Sequence, residues 1–217
     1  MAIAFVQSAS SAGTSQAYGS NVTLGNLLLV VAGSQDIAGA ITFAISDTQG
    51  NAWTALGLVD ANSVNGGRGQ LFYAVAKATG ANTVTLTTGS TTPLLAVHEF
   101  SGATFLDVQA SAIGSGTSPD SGPVTTGAAA ELLFGFNVNV PTSITGLSAG
   151  VGWTQAEAIT QKLITEYQIV AATGTFDATS AMTTGKSPTN LWLAEIATFS
   201  VTQVSKGHNL MMMGIGA

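Results

Sequence analysis

Short apolar runs, each bounded by Gly, Asn, Asp or Ser, recur along the whole chain and predict strands rather than helices. From Asn82 to Thr87 the threonines alternate with Val84 and Leu86, the period of two that sets one face of a half-buried strand against a core. From Leu27 to Val31 every position is apolar, which predicts a central strand covered on both sides. Asp47-Thr48-Gln49-Gly50-Asn51 carries turn chemistry between two such strands. Gln155 to Ile169 has the composition of a short amphipathic helix, yet the repeat described next aligns its end with a strand around Tyr73, so strand is predicted there too.

Laying the second half of the chain over the first reveals a repeat of roughly 100 residues. Gly25-Asn26-Leu27-Leu28-Leu29-Val30 matches Ala130-Glu131-Leu132-Leu133-Phe134-Gly135, and Gly50-Asn51-Ala52-Trp53-Thr54 matches Gly150-Val151-Gly152-Trp153-Thr154. The run from Tyr73 to Gly80 matches Tyr167 to Gly174, and the run from Pro93 to Ser101 finds an echo in Asn190 to Ser200. The repeat divides the chain into a first half at residues 1–109, a connection at 110–130 rich in Gly, Ser and Thr with Pro119 and Pro123, a second half at 131–204, and an apolar arm at 205–217. The expected class is all-β: a duplicated antiparallel β-sandwich whose halves pack face to face or complete one jelly roll.

Composition narrows the function classes. Only 7% of the 217 residues are Asp, Glu, Lys or Arg, against roughly 25% in an average soluble domain, so the surface is expected to be rich in hydroxyls and amides. Five cations, Arg68, Lys77, Lys162, Lys186 and Lys206, and a net charge of −6 form no basic stripe, which argues against nucleic acid as a partner. The apolar runs are far shorter than the ~20 residues of a membrane-spanning helix, and no membrane partner is expected. With no cysteine there is neither a disulfide nor a thiolate metal site. Met1 to Gln7 lacks a basic segment followed by a long apolar one, so it predicts no secretory signal and synthesis in the cytoplasm.

One resemblance rests on the order of motifs between residues 24 and 102: the Gly25-Asn26-Leu27-Leu28-Leu29 strand, the Asp47-Thr48-Gln49-Gly50-Asn51-Ala52-Trp53-Thr54 turn and strand, the Phe72-Tyr73-Ala74 strand, and the closing Leu94-Leu95-Ala96-Val97-His98-Glu99-Phe100-Ser101-Gly102. This order resembles β-sandwich modules of bacteriophage virion proteins and bacterial surface proteins. The second half resembles them loosely. The resemblance implies a fold and carries no active-site motif.

Candidate chemistry is sparse. Gly146-Leu147-Ser148-Ala149-Gly150 satisfies the G-x-S-x-G pattern, but Val151-Gly152-Trp153 makes a poor helix start and the only later histidine is His208, so a chance match is favoured over a hydrolase elbow. His98 and Glu99 are neighbours on one strand and point to opposite faces. Asp47, Asn51 and Asp60 offer oxygen atoms to calcium, which stays open as an alternative, without the spacing of an acidic loop; no metal site is assigned and no tightly bound transition metal is expected. Glu99 and Glu195 stand in the repeat as a carboxylate pair of the kind glycosidases use, with equivalent structural roles the favoured reading. Trp53, Trp153 and Trp192 offer faces for sugar stacking if exposed, against burial as core residues, which is favoured for the repeat-matched Trp53 and Trp153. Asn21-Val22-Thr23 is a glycosylation sequon with meaning only for a secreted eukaryotic protein, and Gly66-Gly67-Arg68-Gly69 reads as a hairpin tip.

The expectation is a non-enzymatic virion structural protein with no catalytic residue and no cofactor. Within the virion, a capsid decoration or cement subunit is favoured, ahead of a tail or fibre component. Its partners are expected to be identical subunits and the major capsid protein, with a glycan as the partner under a lectin-like alternative. The arm, with Leu210, Met211, Met212, Met213 and Ile215, is expected to dock on a neighbour, since unbranched Met side chains adapt to irregular grooves.

Overall fold

The computed structural model describes residues 2–36, 39–61, 67–140, 144–184 and 191–202. These form strands and connections with no helix among the described residues. The first nine strands are β1 (Ala4–Ser11), β2 (Ser15–Ala17), β3 (Leu27–Ser34), β4 (Phe43–Asp47), β5 (Thr54–Ala55), β6 (Val59–Asp60), β7 (Arg68–Val75), β8 (Thr83–Thr88) and β9 (Pro93–Ser101). The next nine are β10 (Phe105–Ser115), β11 (Val124–Thr125), β12 (Glu131–Val140), β13 (Ile144–Ala149), β14 (Thr154–Ile159), β15 (Leu163–Val170), β16 (Thr175–Phe176), β17 (Ser180–Thr184) and β18 (Leu191–Ser200).

Two large antiparallel sheets dominate. One runs β1-β9-β3-β7-β5, with β6 also paired to β7, and the other runs β10-β18-β12-β15-β14. Smaller sheets, β2-β8-β4, β13-β17 and β11-β16, make up the rest. On β3, Leu27, Leu29 and Val31 enter a core shared with Leu132, Phe134, Phe136 and Val138 of β12, whereas Leu28, Val30 and Ala32 enter a second core with Val84, Leu86 and Phe43. The large sheets therefore stack on one another, and each also has a covered outer face. That is why β3, β9, β12 and β18 are buried at nearly every position and carry apolar residues on both faces: a strand covered twice has no solvent face to show. β8, covered once, keeps Val84 and Leu86 inward and its threonines outward.

Register relates the two sheets residue by residue. Leu27 pairs with Phe100 and Val75, and Leu132 pairs with Phe199 and Ile169. Counting from there, Tyr73 and Tyr167 hold the same place, as do Phe100 and Phe199. Their contacts across the central core are reciprocal. Tyr73 meets Phe199 edge-on at 5.5 Å between centroids, and Tyr167 meets Phe100 edge-on at 5.3 Å. At the sides β1 lies against β14 and β6 lies against β10, so each sheet meets the other edge for edge. Close approach is secured by Gly69 on β7, where a Cβ would fall 2.6 Å from the Phe136 ring.

Two expectations change. Ala110 to Ser115, read as the start of the connection, are the second half of β10, an edge strand in which exposed Ser111, Ile113 and Ser115 alternate with half-buried Ala110, Ala112 and Gly114, so that small residues mimic a loop in composition. Arg68, read as part of a hairpin tip, begins β7 and is 1% exposed. Its Nε lies 3.2 Å from Asp60, while Nη1 and Nη2 donate to the carbonyls of Asp36 and Gly39 at 3.0 and 2.7 Å. A guanidinium fits there because two backbone carbonyls and one carboxylate surround it.

Candidate functional site

The side chains singled out by sequence lie apart, and most carry structural hydrogen bonds. Glu99, fully buried, accepts Gln7 Nε2 at 2.6 Å, Thr23 N at 2.8 Å and Asn26 Nδ2 at 2.6 Å, tying β9 to the segment that enters β3. The second sheet does the same job from a different strand. Glu131, at the place of Asn26, accepts Ala128 N at 2.7 Å, and Thr198 stands at the place of Glu99. Glu99 and Glu195 are thus not equivalent, because matching Phe100 to Phe199 sets Glu195 opposite the place of Ala96. Pairing the two glutamates while keeping Phe100 on Phe199 would need three extra residues in the second strand. Glu99→Ala is expected to cost roughly 2–4 kcal/mol, since three donors lose their acceptor. Urea denaturation reads the loss, and a change below about 0.5 kcal/mol would contradict this role.

His98, also fully buried, faces the central core. Its Nε2 lies 2.8 Å from Thr165 Oγ1 on β15, and its ring meets Phe134 edge-on at 4.8 Å. Thr165 Oγ1 also accepts the Glu157 amide at 3.0 Å, which links His98 to the backbone of β14. Burial drives the His98 pKa down to about 3 against a smaller upward pull from the Leu29 carbonyl, and the imidazole is neutral. It acts as a polar pin between the sheets.

The proposed calcium oxygens are already engaged. Asp47 accepts the Asn51 amide at 3.0 Å, Asn51 Nδ2 at 2.7 Å, Trp53 Nε1 at 3.1 Å and Asn82 Nδ2 at 3.2 Å, while Asp60 pairs with Arg68. Burial pushes the Asp47 pKa up, and these donors outweigh it and hold the carboxyl below its ordinary value. No group of three or more His, Asp or Glu side chains is set for a metal among the described residues. Ser148 sits on β13, and the G-x-S-x-G run continues into a turn instead of a helix.

Trp53 and Trp153 are half-buried, each packed on the outer core of its own sheet, and Trp192 is buried at 8% exposure over the backbone of Gly114. Leu210, Met211, Met212, Met213 and Ile215 lie outside the described residues.

Charge placement was not legible in composition. All eleven carboxylates are described, yet Glu99, Asp107, Glu131, Glu166 and Glu195 are buried. Among the described residues the only exposed charged side chains are Asp60, Lys77, Asp120 and Asp177, and Asp60 is bound to Arg68. Leu24, Phe105, Ile113, Val151 and Val75 are exposed on that surface. Comparison of the chain with known protein families, curated proteins and solved structures finds no match.

Proposed function

We propose that the chain is a structural protein of a bacteriophage particle, a capsid decoration or cement subunit seated on identical neighbours and on the major capsid protein, and that its body is a duplicated antiparallel β-sandwich. The shared strand order and the reciprocal Tyr73–Phe199 and Tyr167–Phe100 pairs support the duplication. The observation that carries the contact function is the scarcity of exposed charge among the described residues. A free protein relies on surface charge to stay apart from its copies, whereas ionic groups are depleted from the centre of protein–protein interfaces. A surface of hydroxyls, small residues and single exposed apolar side chains suits a subunit surrounded by others. The arm at 205–217 adds large apolar side chains, each worth about 1.5–3 kcal/mol when buried on a neighbour.

Removing residues 206–217 is expected to leave the melting temperature nearly unchanged and to abolish self-association in sedimentation velocity. Retained assembly in the truncated chain would defeat the arm. A glycan array run in parallel addresses the lectin alternative: specific binding lost on Trp53→Ala or Trp153→Ala would favour a sugar-binding module over a cement subunit.

A further inference from the structure

The two lateral seams between the large sheets are built from corresponding strands but end differently. Where β1 meets β14, the Glu157 carboxylate accepts Ser8 Oγ at 2.6 Å and Ser10 Oγ at 2.7 Å, and the seam is closed. At the other seam β10 stands in the place of β1, and register puts Gln109 where Ser8 is and Ser111 where Ser10 is. Gly57 and Leu58, between β5 and β6, face them, and neither can reach across as Glu157 does. A cavity of about 300 Å³ remains, lined by Gly57, Leu58, Gln109, Ala110, Ser111 and Glu195. It shares Gly57 and Gln109 with a groove of about 540 Å³ that Tyr73 and Asp107 also line.

Glu195 lies on β18 opposite Ser111, is 2% exposed, and its Oε2 has no hydrogen-bond partner. The corresponding position of the first sheet holds Ala96, so the stack does not need a carboxyl there. An unpaired buried carboxylate is strongly disfavoured, and here it borders an open space. No cationic side chain lines the cavity or the groove.

We propose that this cleft binds a primary ammonium group on an alkyl stem, with the nitrogen on Glu195, Gln109 and Ser111 and the methylenes along Gly57, Leu58 and Ala110. An ammonium has three donors and no acceptor, and Glu195, Gln109 and Ser111 each offer it a side-chain oxygen. A neutral sugar brings no positive charge to Glu195 and so gains no ion pair with the buried carboxyl. A bare metal ion would leave most of the volume unfilled and would lack its usual set of three or more ligands. Asp107 along the groove, which also accepts the Gly127 amide at 2.6 Å and neighbours Glu131, adds a second carboxyl for a second ammonium, so a diamine fits better than a monoamine. The proposal does not depend on the particle assignment.

Binding is coupled to one proton. Burial alone raises Glu195, to about 8, so the empty cleft holds a neutral carboxyl at pH 7 and an arriving ammonium displaces that proton. The other titratable groups on the strands packed around it are Asp107 on β10, Glu131 on β12, and Asp60, Arg68 and Tyr73 on β6 and β7.

The test is isothermal titration calorimetry of the full chain with putrescine, n-butylamine and a neutral monosaccharide, in two amine-free buffers of different ionisation enthalpy at pH 7. Putrescine is expected to bind one per chain, several-fold tighter than butylamine, with a heat that reports proton release. Glu195→Gln should weaken it at least tenfold. Gly57→Leu, at a position where a Cβ meets nothing within 4 Å, should block the cleft while the circular dichroism melt stays unchanged. No amine binding at millimolar concentration, binding indifferent to both substitutions, or stoichiometric binding of the monosaccharide in place of the amine would overturn the assignment.

Discussion

Phe134→Ala is expected to lower stability by about 3–5 kcal/mol and to bring both halves down in one transition. Phe134 is fully buried on β12 in the core that the two large sheets share. Its ring meets His98 at 4.8 Å and Phe100 at 6.2 Å, both on β9 of the opposite sheet. Truncation opens a cavity between sheets instead of within one, and neither sheet can close it without sliding on the other. At about 2–4 °C per kcal/mol for a chain of this size, the melting temperature should fall by about 6–20 °C. Differential scanning calorimetry checks it. Two separated transitions, with only the second half shifted, would show that the halves fold independently.

Stability should be greater near pH 5 than at pH 8, by on the order of 3–5 kcal/mol. Burial raises Glu195 from 4.5 to about 8 and raises Glu166 from 4.5 to about 7, the latter against a hydrogen bond from the Gly150 amide. Burial also leads the upward shift of Glu131. A carboxyl raised on folding contributes stability that is full below its unfolded value and is lost as pH climbs to the folded one. His98, depressed from 6.5 to about 3, works in the opposite direction: its contribution is complete above 6.5 and is lost as pH falls towards 3. Between 4.5 and 6.5 the carboxyls outnumber the histidine, and above 6.5 only they act, so the optimum falls near pH 5. Melting scans from pH 4 to 9 in amine-free buffers should show this maximum, and Glu195→Gln should flatten the alkaline limb. A melting temperature that rises steadily from pH 5 to pH 8 would contradict it.

Strand positions and the central packing were legible because hydrophobic period reports coverage. The unbroken run at Leu27 to Val31 and the alternation at Asn82 to Thr87 mark strands covered twice and once. The repeat located Tyr73 with Tyr167 and Trp53 with Trp153 for the same reason, since corresponding core positions keep corresponding shapes. Edge strands were not legible: Ala110 to Ser115 reads as linker because one face of β10 meets solvent and needs no apolar residue. The polar nodes were misread where the same task changed strands. Glu99 in one sheet and Glu131 in the other cap the same stretch of backbone, a swap that one-dimensional alignment turned into a false match with Glu195. Arg68 and the open seam at Glu195 depend on contacts between segments far apart in sequence. The pattern around Gly66-Gly67-Arg68-Gly69 carries no trace of them.

The contact function is tested most directly by quantitative mass spectrometry of phage particles purified from a lysate whose cells express this chain. The account predicts that the chain co-sediments with the particles through successive density gradients in a fixed ratio to the major capsid protein. Recovery of the chain solely in the soluble fraction, with none on the particles, would contradict it.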